Sequence, residues 1–374
     1  MREAGAGAQG RRGAGELAGE TVSPGAASLR PSAPAPPGPT LVIQTAFLGD
    51  VVLTTPLLSA LARRDGPVDV VTTPAAAPLL EGHPAVRRVI RYDKRGADAG
   101  LAGLWRLGSA LRRTGYRRAV LPHRSWRSAA LALLADIPER VGFAGAAPAL
   151  AYSLRVPRAR EGHEVERLLA LAGPGALPAP DVALGLTPAD RAGADAWLAA
   201  RGIEPGFVAL APGSIWGTKR WPYYPDLAAA LGRPIVVIGS RDDAELAAAV
   251  VAAAPGRAHS AAGELDLRAA AALLGRASVL VTNDSAPLHL ATAAGTPVVV
   301  LFGPTVPAQG FGPRGAADRA LGVTLGCRPC SAHGPQVCPL VHHRCMRDLP
   351  VEQVVRAVAA TATPEDRLAI RPGH

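Results

Sequence analysis

Apolar and polar positions fall along this chain in alternating blocks of two kinds. Short, mostly apolar and β-branched runs read as buried strands at 41–45, 68–71, 86–90, 119–121, 207–211, 235–238, 278–282 and 298–302. Between them lie longer stretches with a helical stripe. From about Val51 to Arg64 that stripe is Val52, Leu53, Leu57, Leu58 and Leu61. Further helices are expected at about 100–113, 125–135, 163–171, 188–201, 224–231, 244–253 and 351–362. A short one is expected after residue 284, with Asp284 or Ser285 as its cap, Pro287 in its first turn, and Gly295 and Pro297 ending it. Strands alternating with helices imply parallel sheets wrapped by helices, an α/β fold. The plan runs twice, so two Rossmann-like halves are expected, with ligands at the carboxyl ends of the strands.

A Pro/Gly-rich stretch from Gly173 to Pro180 reads as the linker between halves. It divides the chain into an N-terminal domain, 40–180, a C-terminal domain, 181–350, and a closing helix and tail, 351–374. Residues 1–39 are rich in Ala, Gly and Pro and are expected to be disordered. Aromatic residues make up only 4% of a chain that is 48% hydrophobic, so the core is expected to be Ala, Leu and Val. The formal charge is +10, of which the first 39 residues, with four Arg and three Glu, carry only +1. The excess points to an anionic partner or to a plain Arg-rich bias. No apolar run reaches membrane-spanning length and no secretory leader is apparent, so a cytoplasmic location is expected.

Three polar loops follow strands and should share the carboxyl edges. The first carries Gly49 and Asp50 at a helix start. A lone Asp there is more often a cap than a catalyst, but facing a ligand it is the right group to take a proton from a sugar hydroxyl. The second, Pro212 to Pro222, offers Ser214, Thr218, Lys219 and Arg220, hydroxyls and cations suited to a departing phosphate. It lacks the GxxxxGK[ST] spacing of a Walker loop. The third, Asp284 to His289, brings a carboxylate, a hydroxyl and backbone N–H groups to a helix N-terminus. His289, four residues beyond Ser285, lies near the same helical face, where a lone His is as often structural.

Phe47-Leu48-Gly49-Asp50-Val51-Val52-Leu53-Thr54-Thr55-Pro56, the Pro212–Pro222 loop and the Asn283–Pro304 stretch together resemble three motif regions of the lipopolysaccharide heptosyltransferases, glycosyltransferase family 9. Arg220-Trp221-Pro222 and Cys345-Met346 are most similar to the heptosyltransferase II branch. The resemblance spans about residues 40–362, and Ala286 stands where Gly is common. It implies a GT-B fold, with an acceptor-binding N-terminal domain and a nucleotide-sugar-binding C-terminal domain. It implies inverting transfer of L-glycero-D-manno-heptose from ADP-heptose to the lipid A–Kdo inner core of lipopolysaccharide, with no cofactor required for catalysis. By the same resemblance Asp50 is the base. Thr218 and Lys219 contact the diphosphate, and Asp284, Ser285 and His289 the donor sugar and phosphates. Glu245 lies near the ribose, with Ser214 in the donor set. The acceptor would also use basic residues, for which Arg124 and Arg127 are candidates, and the enzyme would sit peripherally on the anionic inner membrane.

Cys327, Cys330, Cys338 and Cys345 are interleaved with His333, His342 and His343. The first pair has zinc-knuckle spacing, so a structural zinc is one reading, beside disulfide use and packed free thiols. Rival functions are a transferase for another nucleotide sugar, a Rossmann oxidoreductase, and a nucleic-acid binder. The first loop lacks G-x-G-x-x-G, and aromatics are too scarce for base stacking, so no specific nucleic acid is expected.

Overall fold

The computed structural model describes residues 38–176 and 179–361. Residues 1–37 of the expected tail, 177–178 of the expected linker and 362–374 lie outside the described residues. The first half runs β1 (Thr40–Ile43), α1 (Leu48–Asp65), β2 (Val68–Thr72), α2 (Ala77–Leu80), β3 (Val86–Arg91), α3 (Gly100–Arg112), β4 (Arg118–Leu121), α4 (Trp126–Leu134), β5 (Glu139–Phe143), β6 (Leu154–Val156) and α5 (Glu164–Leu169). The second runs α6 (Pro188–Ala199), β7 (Val208–Ala211), α7 (Tyr224–Ala230), β8 (Ile235–Val237), α8 (Ala244–Ala253), β9 (Ala258–Ser260), α9 (Leu267–Leu274), β10 (Val279–Asn283), α10 (Ala286–Ala293), β11 (Val298–Phe302), β12 (Arg319–Gly322), α11 (Arg344–Arg347) and α12 (Val351–Thr361).

Each half holds one parallel six-stranded sheet, ordered β3-β2-β1-β4-β5-β6 and β12-β11-β10-β7-β8-β9. Strands such as Val298–Phe302 are buried at every position, because helices cover both faces of a parallel sheet. The strand order reverses between β1 and β4 in one sheet and between β7 and β10 in the other. At these two switch points neighbouring loops splay apart and leave crevices at the carboxyl edges. One apolar cluster runs continuously from Val52 and Leu57 of α1 through Leu168 of α5 to Leu280 and Leu288 of the second half. Two further clusters fill the outer faces of the sheets.

Helix α1 starts three residues earlier than its stripe suggests, at Leu48, so Gly49 and Asp50 lie in its first turn rather than in a loop. Asp50 is the cause: its Oδ2 accepts the Phe47 backbone N–H at 3.2 Å, the backward half of a capping box. Arg268 ties the halves together. Its guanidinium pairs with Asp190 at 2.6 Å and donates to the Pro78, Glu81 and Gly185 carbonyls. Among the described residues no helix is long and apolar enough to cross a membrane.

Candidate active site

The switch point of the second sheet is stapled by Asn283, the last residue of β10. Its buried side chain donates to the Pro212 carbonyl at 2.8 Å and accepts the Trp221 backbone N–H at 3.1 Å. The second and third loops are therefore held side by side. Across the join, Lys219 Nζ meets Asp284 Oδ2 at 2.6 Å and the Asp284 carbonyl at 3.0 Å. Thr305 adds a hydroxyl to the same Oδ2 at 2.6 Å. Both ends of this ion pair are buried.

The expected donor residues are distributed unevenly. Ser214 is buried and its Oγ accepts the Trp216 N–H at 3.2 Å. Thr218 spends its hydroxyl on the Pro335 carbonyl, in the cysteine-bearing segment. Ser285 occupies the N-cap of α10, but its side chain makes no cap bond; it turns back to the Asn283 carbonyl at 3.3 Å. Neither Asp284 nor Ser285 therefore caps this helix with its side chain, contrary to expectation, because Lys219 and Thr305 hold the carboxylate of Asp284. Glu245 is exposed in the first turn of α8, without a bonded partner among the described residues. Asp243, two residues earlier, is the acid that reaches the second loop. It closes the turn from Ser240 at 2.9 Å, and a Cβ on Gly213 would lie 2.2 Å from its Oδ1. Asn283, Asp243 and Thr305 escaped the sequence reading, although Ser240-x-x-Asp243 is a legible capping pattern.

The first loop closes against the third. A Cβ on Gly49 would sit 2.6 Å from His289 Cδ2, so only glycine permits this approach of α1 to α10. Burial pushes His289 down to about 4, against the smaller pull of Asp284, so its imidazole is neutral near pH 7. Asp50 is pushed up from 3.8 to about 6, first by burial and then by the charge of Glu164. The Phe47 N–H and Arg158 oppose the shift. Glu164 is buried and bound through both oxygens by Arg158, at 3.0 and 2.5 Å. The same segment is tied to the second half by Glu164 N to the Gly310 carbonyl at 2.8 Å and by His163 Nε2 to that of Gly312 at 3.0 Å. A carboxyl that titrates near 6 at a strand's carboxyl edge suits general-base work at neutral pH.

Arg124 and Arg127 lie by the other crevice, in the first half. Exposed Arg124 donates to the Gly145 carbonyl at 3.0 Å, and half-buried Arg127 to the Tyr92 hydroxyl at 3.2 Å.

The four cysteines are not gathered into the zinc site that was one of the three readings of their spacing. Among the described residues no group of three or more His, Cys, Asp or Glu is arranged to hold a metal. Cys345 is buried in the outer core of the second half beside Met346, while exposed Cys330 donates its thiol to the Cys327 carbonyl at 3.2 Å. All four are free, and burial pushes the Cys345 thiol up to about 11.

Comparison with known proteins settles the family. A model of glycosyltransferase family 9 (heptosyltransferase) matches residues 104–338. The chain belongs to this family. It is 31% identical to lipopolysaccharide heptosyltransferase 2 of Salmonella typhimurium over 297 residues, 71% of this chain and 83% of that protein. Its structure resembles ADP-heptose lps heptosyltransferase II of E. coli with a TM-score of 0.72 and 26% identity, covering 88% of this chain and 99% of that one. A family 9 glycosyl transferase from Veillonella parvula shares the fold, with a TM-score of 0.77 at 22% identity. The family 9 protein described here is therefore a glycosyltransferase of the heptosyltransferase kind. Its two facing Rossmann-like halves are the GT-B arrangement that the motifs implied.

Proposed function

We propose that this enzyme transfers L-glycero-D-manno-heptose from ADP-heptose to the lipid A–Kdo inner core of lipopolysaccharide, with inversion at the anomeric carbon. The observation that carries this reading is the close approach of α1 to α10, Gly49 against His289, which brings the first turn of α1, with the Asp50 carboxyl raised to about 6, up to the third loop. Asp50 takes the proton of the acceptor hydroxyl as that oxygen attacks the anomeric carbon in line with the departing ADP. The transition state has oxocarbenium character, as in glycoside hydrolysis. The backbone N–H groups of Ser285 and Ala286 stabilise the leaving diphosphate, with the remaining N–H of Lys219. Neutral His289 serves as a hydrogen-bonding group toward the donor rather than as a cation. The second half thus binds the nucleotide sugar and the first half the acceptor.

The acceptor is lipid-borne, and the surface of the first half fits an anionic membrane. Leu101 and Trp105 on α3 and Trp126 on α4 are 82%, 65% and 60% exposed. They lie on the N-terminal halves of two helices that follow strands, hence at the same edge as Arg124 and Arg127. Apolar side chains beside arginines insert into and bind an anionic interface. Cytoplasmic-face, peripheral attachment follows from this reading. Flotation with phosphatidylglycerol vesicles is expected to carry the protein and to lose it in Trp105→Ala/Trp126→Ala; unchanged flotation removes this surface from the proposal.

The deciding assay is ADP release from ADP-heptose with a heptose-deficient acceptor. Release is expected to depend on acceptor and to fall by about 10²- to 10⁴-fold in Asp50→Ala with donor binding retained. A folded sample that neither binds ADP-heptose nor releases ADP would withdraw the heptose assignment.

A further inference from the structure

Among the described Phe, Tyr and Trp side chains only Phe47, Trp105 and Trp126 are exposed, and the two tryptophans sit on α3 and α4. Phe47 stands apart from them, immediately before α1. Its backbone N–H is the one that holds Asp50 Oδ2 at 3.2 Å, so its ring and the base share one turn of chain. The ring has company. It meets the exposed imidazole of His333 edge to face, with centroids 6.4 Å apart and planes at 62°. His333 in turn lies parallel to Trp216 of the second loop, 6.3 Å away at 11°. Three rings from three segments thus bridge the first half to the second beside Asp50. Their support is dense. Ser331 Oγ accepts the His333 and Gly334 N–H groups at 3.3 and 2.7 Å, which turns the chain under the imidazole. Gly334 has φ +84°, and a Cβ there would lie 2.9 Å from Pro304 Cγ, so glycine is required. Gln336 grips both sides of Trp216: its Nε2 donates to the Ile215 carbonyl at 2.8 Å and its Oε1 accepts the Gly217 N–H at 3.0 Å. The Thr218 N–H reaches the Pro335 carbonyl at 3.3 Å, and His343 Nε2 lies 2.8 Å from the Thr218 carbonyl. Ile215 and Val337, both exposed, widen the apolar rim. The cations of the second loop are engaged elsewhere, Lys219 with Asp284 and Arg220 Nε with the Ser214 carbonyl at 2.9 Å. The rim is therefore rigid, aromatic and not built around charge, which is the make-up of a preorganised binding surface.

We propose that Phe47, Trp216 and His333 form an aromatic platform that takes the apolar C–H face of a pyranose ring of the acceptor. A pyranose carries axial C–H groups on its faces, and its hydroxyls polarise those hydrogens positive, whereas the face of an aromatic ring is negative. Stacking leaves the hydroxyls at the sugar's edge free, and one of them turns toward Asp50, one helical turn from Phe47. The platform rests on the transferase reading and adds a selection rule to it. The acceptor sugar needs one unobstructed C–H face, and an epimer with an axial hydroxyl on that face is rejected. These are binding residues that orient the acceptor and do not touch its proton.

The test uses the full chain with the deacylated acceptor from a heptose-deficient lipopolysaccharide. Phe47→Leu and Trp216→Leu are expected to raise the acceptor KM about 3- to 10-fold each with the donor KM unchanged, and Phe47→Tyr to keep the wild-type value. The rise should be the same in low and high salt, because no ion pair is involved. In NMR spectra of the complex, C–H protons on one face of an acceptor sugar should shift upfield, and Phe47→Leu should reduce the shift. An acceptor KM unchanged in both Leu variants overturns the platform and leaves wild-type transfer standing. A donor KM that rises in step makes the rings packing for the second loop, and a rise that vanishes in high salt assigns the contact to charge; either result overturns the platform. Calorimetry separates the two readings. If the wild type binds the acceptor but transfers no heptose, and Phe47→Leu weakens that binding, the transferase reading falls and the platform stands. A folded wild type that binds no acceptor overturns both.

Discussion

Replacing Asp50 by Asn should stabilise the fold while abolishing transfer. The Asp50 carboxyl is raised from 3.8 to about 6, chiefly by burial. A carboxyl whose folded pKa exceeds its unfolded one holds its proton more tightly in the native state. Its stabilising contribution is complete below pH 3.8 and is lost as pH rises through about 6. The full shift corresponds to about 3 kcal/mol against the folded state at pH 7 and above. Because Asp50 is only half-buried, solvent screens part of this, and roughly 1–2 kcal/mol is the working figure. Asn removes the charge but keeps an oxygen for the Phe47 N–H, so the helix start survives. The assay is urea unfolding of both proteins from pH 4 to pH 8. The variant should match the wild type near pH 4 and exceed it by that margin at pH 7.5. The same group should appear in wild-type kinetics as a rising limb of kcat with apparent pKa about 6, because the base works only when deprotonated. Equal stability of the two proteins at pH 7.5, or a difference that does not vary with pH, would refute the argument that burial holds this carboxyl near 6.

Gly49→Ala is expected to cost about 1–3 kcal/mol, because its Cβ would fall 2.6 Å from His289 Cδ2; Gly49→Ala/His289→Ala should recover most of the loss in melting temperature, and equal melting of single and double variants would show that the contact is not the cause. Lys219→Met leaves a buried Asp284 with only Thr305 as side-chain partner, so a loss of about 3–5 kcal/mol is expected by urea unfolding, and a loss below about 1 kcal/mol would mean that the pair is solvated. Arg268→Ala should destabilise by about 2–4 kcal/mol by removing Asp190's partner together with three carbonyl contacts. Asp190 is held well below the usual carboxylate range, first by Arg268, so the wild type's advantage should be whole at neutral pH and shrink as pH falls below 3.8. An advantage that stays constant down to acid unfolding would contradict that pairing.

The central strands were legible because a parallel sheet buried on both faces demands unbroken apolar runs, as in Val298–Phe302. The strands that escaped are short or charged: Leu154–Val156, Ala258–Ser260 and Arg319–Gly322 are sheet edges, and Glu139–Phe143 opens on Glu-Arg. An edge needs few apolar residues, so hydropathy marks it weakly; β3, also an edge, was legible only because it keeps Val86, Val89 and Ile90. Helix α9 also escaped, although Asp266 caps it by accepting the Arg268 and Ala269 N–H groups at 2.9 and 2.8 Å. Its run Leu267–Leu274 spans only eight residues, half of them alanine, which is too short a window to establish a helical period by eye.

In the site, spacing identified the loops but not what their side chains do to one another. Lys219 and Asp284 read as two independent ligand contacts, 65 residues apart. At 2.6 Å, buried, they form a pair of no net charge. Such a pair fixes the geometry of two loops, but it offers a departing diphosphate little net positive potential. The stabilising field must then come from groups with no charge in the sequence. Ser285 leaves the start of α10 without a side-chain cap, and Pro287 has no N–H, so the Ser285 and Ala286 amides have no internal partner among the described residues. A serine that declines to cap its own helix is a loss of local stability, and it makes physical sense only if an external anion completes the helix start. The helix start at the second switch point is therefore the incompletely neutralised part of the site, and in the proposed reaction Asp50 is the group that must lose its own proton before it can take one from the acceptor.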